Sequence, residues 1–459
     1  MRRSPAGTAV LLALALGLVG CGQLPNAHVE SRNQIGAPRD GYSEDVYPSD
    51  QPIDQPSYNP GDPVPTTTGV PTGGPTATAA PGRYVVRGHD RTGVTATTIR
   101  FGAHAPVTGA APLPSRSFEK AADLYWRWIT EVKHQKILGR SKIELSFADD
   151  RYQPSSATQV CRELGQKVFA MSGAGGTDQI QACGRYADAA HIPYTSVGVT
   201  ERGLTGLKWY FAFSMSYRTQ SELLAKYVKR NFGNKKVAAV LTDTPNFDDA
   251  VQGWEKGVKA QNLNYFRTFR HPKGDTSWYN TVARDLQNAG VQVLYINTSP
   301  VDYIRFAQQA NQQGFRPQYV GVGITMALNP VLESGCPDVD GGIFFSPFPG
   351  LDWARKNQKD FFQAAAHFGA PQDDLAFAIW GQAKGTHESF RRYEAAYGTD
   401  LTREDFRDFL ETQTGIHGGV FPDQNYSPTD HFGARQVHVL KASCAKQEHV
   451  TLEAFVTDF

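Results

Sequence analysis

Several signatures of chemistry are missing from this chain. It has no HExxH and no CxxC pair, so the usual ligand spacings of a zinc hydrolase or a structural zinc module are absent. No serine sits in a GxSxG elbow, which removes the usual signal of a serine hydrolase. A glycine-rich turn does occur, GAGGTDQIQACG over Gly173–Gly184, but Thr177 and Asp178 follow Gly176 where a phosphate-binding loop needs Lys. The carboxylate would repel a polyphosphate. An excess of charge of one sign is lacking too: 46 basic against 45 acidic residues leave a formal net charge of +1, with no electrostatic footprint for nucleic acid. The apolar run Ala9–Val19 is too short to span a bilayer comfortably.

What is present begins with that run. Arg2 and Arg3 precede it, the pattern of a secretory signal. It ends in Leu18-Val19-Gly20-Cys21, which resembles the lipobox of bacterial lipoproteins. That resemblance makes residues 1–21 a signal peptide with its lipobox, and implies cleavage just before Cys21 and a lipid on that cysteine. Residues 22–83 follow, crowded with Pro, Gly, Ser and Thr as in PVPTTTGVPTGGPTATAAPG. So few apolar side chains cannot repay the entropy of ordering, and a disordered tether is expected.

Four cysteines remain: Cys161, Cys183, Cys336 and Cys444. In an exported chain an even set reads first as two disulfides, with Cys161–Cys183 and Cys336–Cys444 as the preferred pairs. The competing reading makes Cys183 a nucleophile with His191 or His104 as its base. A catalytic thiol needs a neighbouring positive group, whereas Cys183 shares a helix face with Ile180 and Tyr186. No metal and no cofactor are expected.

The body alternates strand and helix signals twice. In the first half TTIRFGAHAP, KIELSFADD, VFAMSG and HIPYTSVG read as strands, with one helix over Phe118–Val132, a second from Ser155 to Phe169 and a third through Ile180 and Tyr186. In the second half KKVAAVLTD, NYFRTFR, QVLYINT, QYVGVG and GGIFFSPF are strands, separated by helices at Asp248–Gln261, Thr281–Ala289 and Tyr303–Gln313. Helices over Leu351–Phe368, Asp374–Ala396 and Arg403–Thr412 then precede two short strands, QVHVLKA and VTLEAFV. Repeated β-α units predict two α/β lobes, each a mostly parallel sheet flanked by helices. The expected boundaries are residues 84–218 for the N-terminal lobe and 219–350 for the C-terminal lobe, with 351–459 shared between them as helices and crossovers. Two such sheets facing each other place their carboxyl-end loops across one cleft, and the crossings form a hinge.

The motifs GAHAPVTG, FADD, SGAGGTDQIQA, IPYTSVG and LYINTSPVDYIRFAQQANQQGFRPQYVGVG occur in this order. In that order and spacing, the body resembles a type I periplasmic binding protein of the Leu/Ile/Val-binding group, the substrate-binding lipoprotein of an ABC importer. The resemblance implies that Gly175, Gly176 and Thr177 grip a ligand carboxylate, with Gly198, Val199 and Thr200 supplying a second contact. It further implies that Phe247 closes over the ligand and that Asn297, Thr298 and Thr325 face it. The family's acidic partner for a ligand ammonium would fall near Ile324 and Thr325, and neither is acidic. Asp149 or Asp243 would have to replace it for an amino acid to bind.

Independent of the resemblance, a helix starting near Thr177 leaves N–H groups without internal partners, and the glycines before it let an anion approach. The competing structural reading is that Thr177 or Asp178 caps its own helix. Asp149 and Asp150, adjacent at a strand end, point apart. His431 is expected to be structural. Of Phe101, Trp209, Tyr210, Phe247, Trp278, Tyr295 and Trp380, most should be core.

The expected protein is therefore not an enzyme. It is a monomeric solute receptor, exported and lipid-anchored to the outer face of the cytoplasmic membrane, that delivers an amino acid, organic acid or amide to an ABC permease. A cell-envelope sensor or adaptor is the first rival and an exported hydrolase the second.

Overall fold

The computed structural model describes residues 84–197 and 200–459, so the signal segment, Cys21, the tether, Gly198 and Val199 lie outside the described residues. Twelve strands are described: β1 Thr98–Ala105, β2 Lys142–Asp149, β3 Ala170–Gly173, β4 Tyr194–Ser196, β5 Tyr210–Ala212, β6 Val237–Thr242, β7 Tyr265–His271, β8 Val293–Asn297, β9 Gln318–Val322, β10 Ile343–Ser346, β11 Val437–Ser443 and β12 Glu448–Val456. They form two sheets. The first has the order β2-β1-β3-β4-β5 and is wholly parallel. The second has the order β12-β11-β10-β9-β8-β6-β7, parallel from β7 to β10 and closed at one edge by the antiparallel β11–β12 hairpin.

This is the bilobed α/β architecture that the β-α alternation implies, and its strands read as parallel-sheet strands should. Every residue of VAAVLT in β6 and VLYIN in β8 is buried, because helices cover both faces. The chain leaves the first sheet after β5 and enters the second lobe through the helix Tyr217–Phe232. After β10 it returns, and the helices Lys359–Phe368, Asp374–Tyr397 and Arg403–Leu410 pack on the first sheet. Trp380 meets Tyr125 edge-on at 4.9 Å and Phe390 stacks on Phe101 at 5.8 Å. A third passage before β11 carries the chain back to the second sheet.

The local elements depart from expectation where the backbone breaks. The single helix expected over Phe118–Val132 is three pieces, Ser115–Ala121, Leu124–Arg127 and a π turn Trp128–Val132, because Asp123 leaves helical geometry (φ −103, ψ 2). Likewise the helix expected over Leu351–Phe368 is interrupted at Gln358. Strand β5, only three residues long, and the helix Tyr217–Phe232 had no counterpart in the sequence reading. A three-residue strand is too short to show a period.

Both disulfides pair as expected. Cys161 and Cys183 join the neighbouring helices Pro154–Gly165 and Thr177–Ala189 on one face of the first sheet, with Cα atoms 5.9 Å apart. Cys336 and Cys444, 5.7 Å apart, tie the end of helix Pro330–Gly335 to the turn after β11.

Candidate functional site

The loops after the parallel strands of both sheets meet at one cleft of about 360 Å³. From the first lobe come Pro106 and Leu113 after β1, Tyr152 after β2, Gly175 to Asp178 after β3, and Val197 after β4. From the second come Thr244 and Phe247 after β6, Lys273 and Tyr279 after β7, Thr298 to Asp302 and Arg305 after β8, and Ile324 after β9. This is the carboxyl-edge position at which open α/β sheets bind ligands.

The turn Gly173–Gly176 folds as its glycines permit. Gly175 and Gly176 have φ of +72° and +76°, and a Cβ on Gly176 would lie 1.9 Å from Gln179 Oε1. The helix Thr177–Ala189 then starts with no side chain capping it, so the self-capping alternative does not hold. Asp178 instead reaches across to the second lobe, where Asn246 Nδ2 and Lys273 Nζ (2.9 Å) donate to its two oxygens. Lys273 also lies 4.5 Å over the ring of Tyr152. Burial alone would lower the Lys273 ammonium, but Tyr152 and Asp178 outweigh it and hold its pKa above the usual value. Burial raises the phenol of Tyr152.

The other acid in the cleft is also engaged. Asp302 accepts from Tyr279 Oη at 2.6 Å and Ser299 Oγ at 2.8 Å, and Ser299 caps the helix Pro300–Gln312 that carries it. Burial, reinforced by Asp302, raises the phenol of Tyr279. Two groups are left over. Thr244 Oγ1 is buried without a partner, and the exposed Arg305 makes no hydrogen bond or ion pair among the described residues. With the uncapped helix start at Thr177, these can all donate to an anion.

The residues named from sequence divide into three groups. Gly175, Gly176, Thr177, Phe247 and Thr298 line the cleft, Phe247 stacked on Tyr217 with ring centroids 5.8 Å apart. Thr200 and Asn297 are buried outside its lining, Asn297 Nδ2 donating to Tyr295 Oη at 3.3 Å. Gly198, Val199 and the side chain of Thr325 lie outside what is described. Tyr152, Thr244, Lys273, Tyr279, Asp302 and Arg305 were missed; Tyr152, Thr244 and Lys273 lie within three residues of a strand end, the one signal that could have found them, and the others lie farther along.

Neither candidate for a ligand ammonium is free in the cleft. Asp149 accepts from Val107 N at 3.0 Å and Thr108 Oγ1 at 2.5 Å, and Asp243 pairs with Arg270 at 3.0 Å. Asp150 is wholly buried against His104 Nδ1 at 2.8 Å, whose Nε2 meets Tyr194 Oη at 2.7 Å. His104, Cys161 and Cys183 are the one His/Cys/Asp/Glu cluster of metal-site dimensions among the described residues, and the disulfide removes two of its ligands. His431 is buried, stacked on Phe211 at 4.3 Å with Nδ1 2.9 Å from Tyr210 O, a structural role.

Residues 98–448 match the profile of the periplasmic binding protein family. Among curated proteins the chain is similar to Leu/Ile/Val-binding protein homolog 7 of Brucella abortus (strain 2308), 24% identical over 185 residues, which are 38% of this chain and 46% of that protein. It is also similar to homolog 8 of the same strain, 21% identical over 259 residues, 54% of this chain and 63% of that one. The chain thus spans about half to two thirds of the length of these relatives. Among solved structures it resembles a fatty acid ABC transporter substrate-binding protein from Thermomonospora curvata, with TM-score 0.68, 18% identity, and 81% of this chain and 95% of that one covered. A branched-chain amino acid ABC transporter from Thermus thermophilus with bound valine has TM-score 0.64 at 15% identity, covering 80% and 98%. An R. palustris solute-binding protein in complex with benzoate has 0.62 at 16% identity, covering 77% and 95%. At these identities the structures establish the shared fold.

Proposed function

The chain belongs to the periplasmic binding protein family, and on that premise we propose that it captures a small organic acid in the cleft and presents it to an ABC importer. The observation that carries the acid is the balance of groups left over. Both cleft carboxylates are engaged, by Lys273 and by Tyr279 with Ser299, whereas Arg305, Thr244 Oγ1 and the helix start at Thr177 remain to receive an anion. The ammonium of an α-amino acid would have to share a carboxylate that already accepts two hydrogen bonds, which disfavours it in a closed site. The valine- and benzoate-bound relatives have in common a carboxylate.

Contacts across the cleft supply the closing force. Asp178 bonds Lys273 and Asn246, Glu201 N donates to Asp249 at 2.8 Å, and Arg202 pairs with Asp248 at 3.2 Å. A solute touching both lobes shifts the population toward this closed arrangement. Nothing in the cleft calls for a reaction: Cys183 is held in its disulfide and His104 by Asp150 and Tyr194. In this reading Cys21 carries the lipid, residues 22–83 are the leash, and the permease is the partner. No helix among the described residues is long and apolar enough to cross a membrane.

A thermal-shift screen of the purified protein, emptied of carried-over solute, tests the proposal, since a ligand that binds only the native state raises its stability. Carboxylic acids should shift the transition, and their amides and simple amines should not. Thr177→Val removes one hydrogen bond to a charged group and should weaken acid binding about tenfold, with the unliganded transition unchanged. Stabilisation by amines instead, or unaltered acid affinity in Thr177→Val, counts against it.

A further inference from the structure

A second space opens from the floor of the cleft. In the first sheet Phe147, Ala103, Ser172, Thr195 and Phe211 lie in lateral register and therefore on one face. Three small residues stand between two rings. The helix Asp374–Tyr397 covers this face, yet Ala103, Ser172 and Thr195 are only half-buried in the middle of the sheet. Their accessible surface faces an internal cavity of about 90 Å³, walled by Phe101, Phe118, Leu145, Phe211, Phe213 and Ile379. Interior voids this large are unusual in close-packed proteins, and apolar walls make them poor sites for water. The polar atoms near it are largely used, Gln382 Nε2 donating to Thr195 Oγ1 at 3.1 Å.

A smaller apolar space of about 30 Å³, called the neck below, lies between this cavity and the cleft. It shares Ala174, Ile379 and Gln382 with the cavity, and Leu113, Gly175, Val197 and Ile324 with the cleft. Its walls are apolar almost throughout. At its mouth a Cβ on Gly175 would lie 2.8 Å from Leu113 Cδ1, so a side chain there would press into the entrance.

We infer that the solute carries an unbranched alkyl chain that passes through this neck and lies between the first sheet and the helix Asp374–Tyr397, its carboxylate remaining at Thr177 and Arg305. The inference rests on the acid reading of the cleft and adds the class of acid. So small an apolar space between the cavity and the cleft suits a flexible methylene chain better than a ring. The row Ala103–Ser172–Thr195 is what makes room. It is therefore the determinant of chain length, while the cleft determines the head group.

Isothermal titration of the full-length protein with hexanoate, octanoate and decanoate, below their aggregation concentrations, tests this. Affinity should rise on the order of fourfold per added methylene, as expected for a chain leaving water for an apolar site. Ala103→Leu and Ser172→Leu should each abolish the rise. Should neither variant fold, the native protein crystallised with 8-bromooctanoate answers the same question by the position of its bromine, expected between Ser172 and Ile379. Equal affinities across the series overturn the alkyl tail but leave the acid reading standing. Binding of no carboxylate by the folded protein overturns both. A rise that survives in the folded variants, or bromine in the open cleft, overturns the placement.

Discussion

In the second sheet every residue of β6 and β8 is buried between helices, Ala239 and Tyr295 among them, whereas the central strands of the first sheet carry Ala103, Ser172 and Thr195 beneath a helix that does not fill the space above them. Both sheets grow from the same β-α repeat. Large side chains are fully buried around both, Trp254 and Phe344 at the second and Phe169 and Trp380 at the first, and the second sheet's edge is closed by the β11–β12 hairpin. The first gives up packing where the proposed solute needs room. Burial on both faces serves stability, and small residues in register create a cavity at its expense.

The largest expected effect concerns the two disulfides, one per lobe. In the chain-entropy account, removing Cys336–Cys444, which closes 108 residues, should cost about 5 kcal/mol, and removing Cys161–Cys183, which closes 22, about 3 kcal/mol. Denaturant titration of the two serine double variants measures both. An equal loss would show that the less filled lobe depends on its bond more than loop length predicts, and would sharpen the contrast.

The next concerns the helix over the cavity. Its first residue, Asp374, accepts from Asn329 N at 2.6 Å across from the second lobe, and burial raises its carboxyl to about 7, with Asp373 adding to the rise. The folded state holds this proton more tightly than the unfolded one. Its contribution is thus fully present below about pH 4 and lost as pH rises through 7, on the order of 4 kcal/mol. Asp374→Asn keeps an acceptor for Asn329 and cannot ionise, so it should be more stable than the native protein at pH 8 and lose that advantage by pH 4. Unfolding midpoints at the two pH values check it; a gap independent of pH would mean the carboxyl is not held neutral.

The smallest effect tests packing directly. Ala239→Val in the filled sheet should cost about 1–3 kcal/mol by overpacking, whereas Ala103→Val in the first should change stability by less than about 1 kcal/mol, its methyls entering open space. Equal costs in the two sheets, measured by thermal unfolding, would break the comparison.

How much of this was legible in the sequence varies by element. Strands β6 and β8 could be read from VAAVLT and VLYIN, and the turn before Thr177 from Gly175 and Gly176, because apolar runs and positive-φ glycines are local signals. Strand β5 and the break at Asp123 could not, since three residues show no period and no Gly or Pro marks the break. In the site, Phe247 and Thr298 were legible through the family resemblance, but Arg305 and Lys273 look like any surface cation until their partners, or lack of them, are known.

By itself the sequence determined most of the order of strands and helices, the expectation of two bridges among four cysteines, and the glycine turn that opens the helix Thr177–Ala189. These follow from periodicity, parity and backbone freedom, which act over a few residues or over the whole cysteine set. Only the tertiary structure decided that Asp178 and Asp302 are spent while Arg305 is not, and that Ala103, Ser172 and Thr195 align under a helix that begins at Asp374. Those facts depend on lateral register and on segments 23 to 187 residues apart meeting in space, and no local pattern encodes which side chains such a meeting leaves without partners.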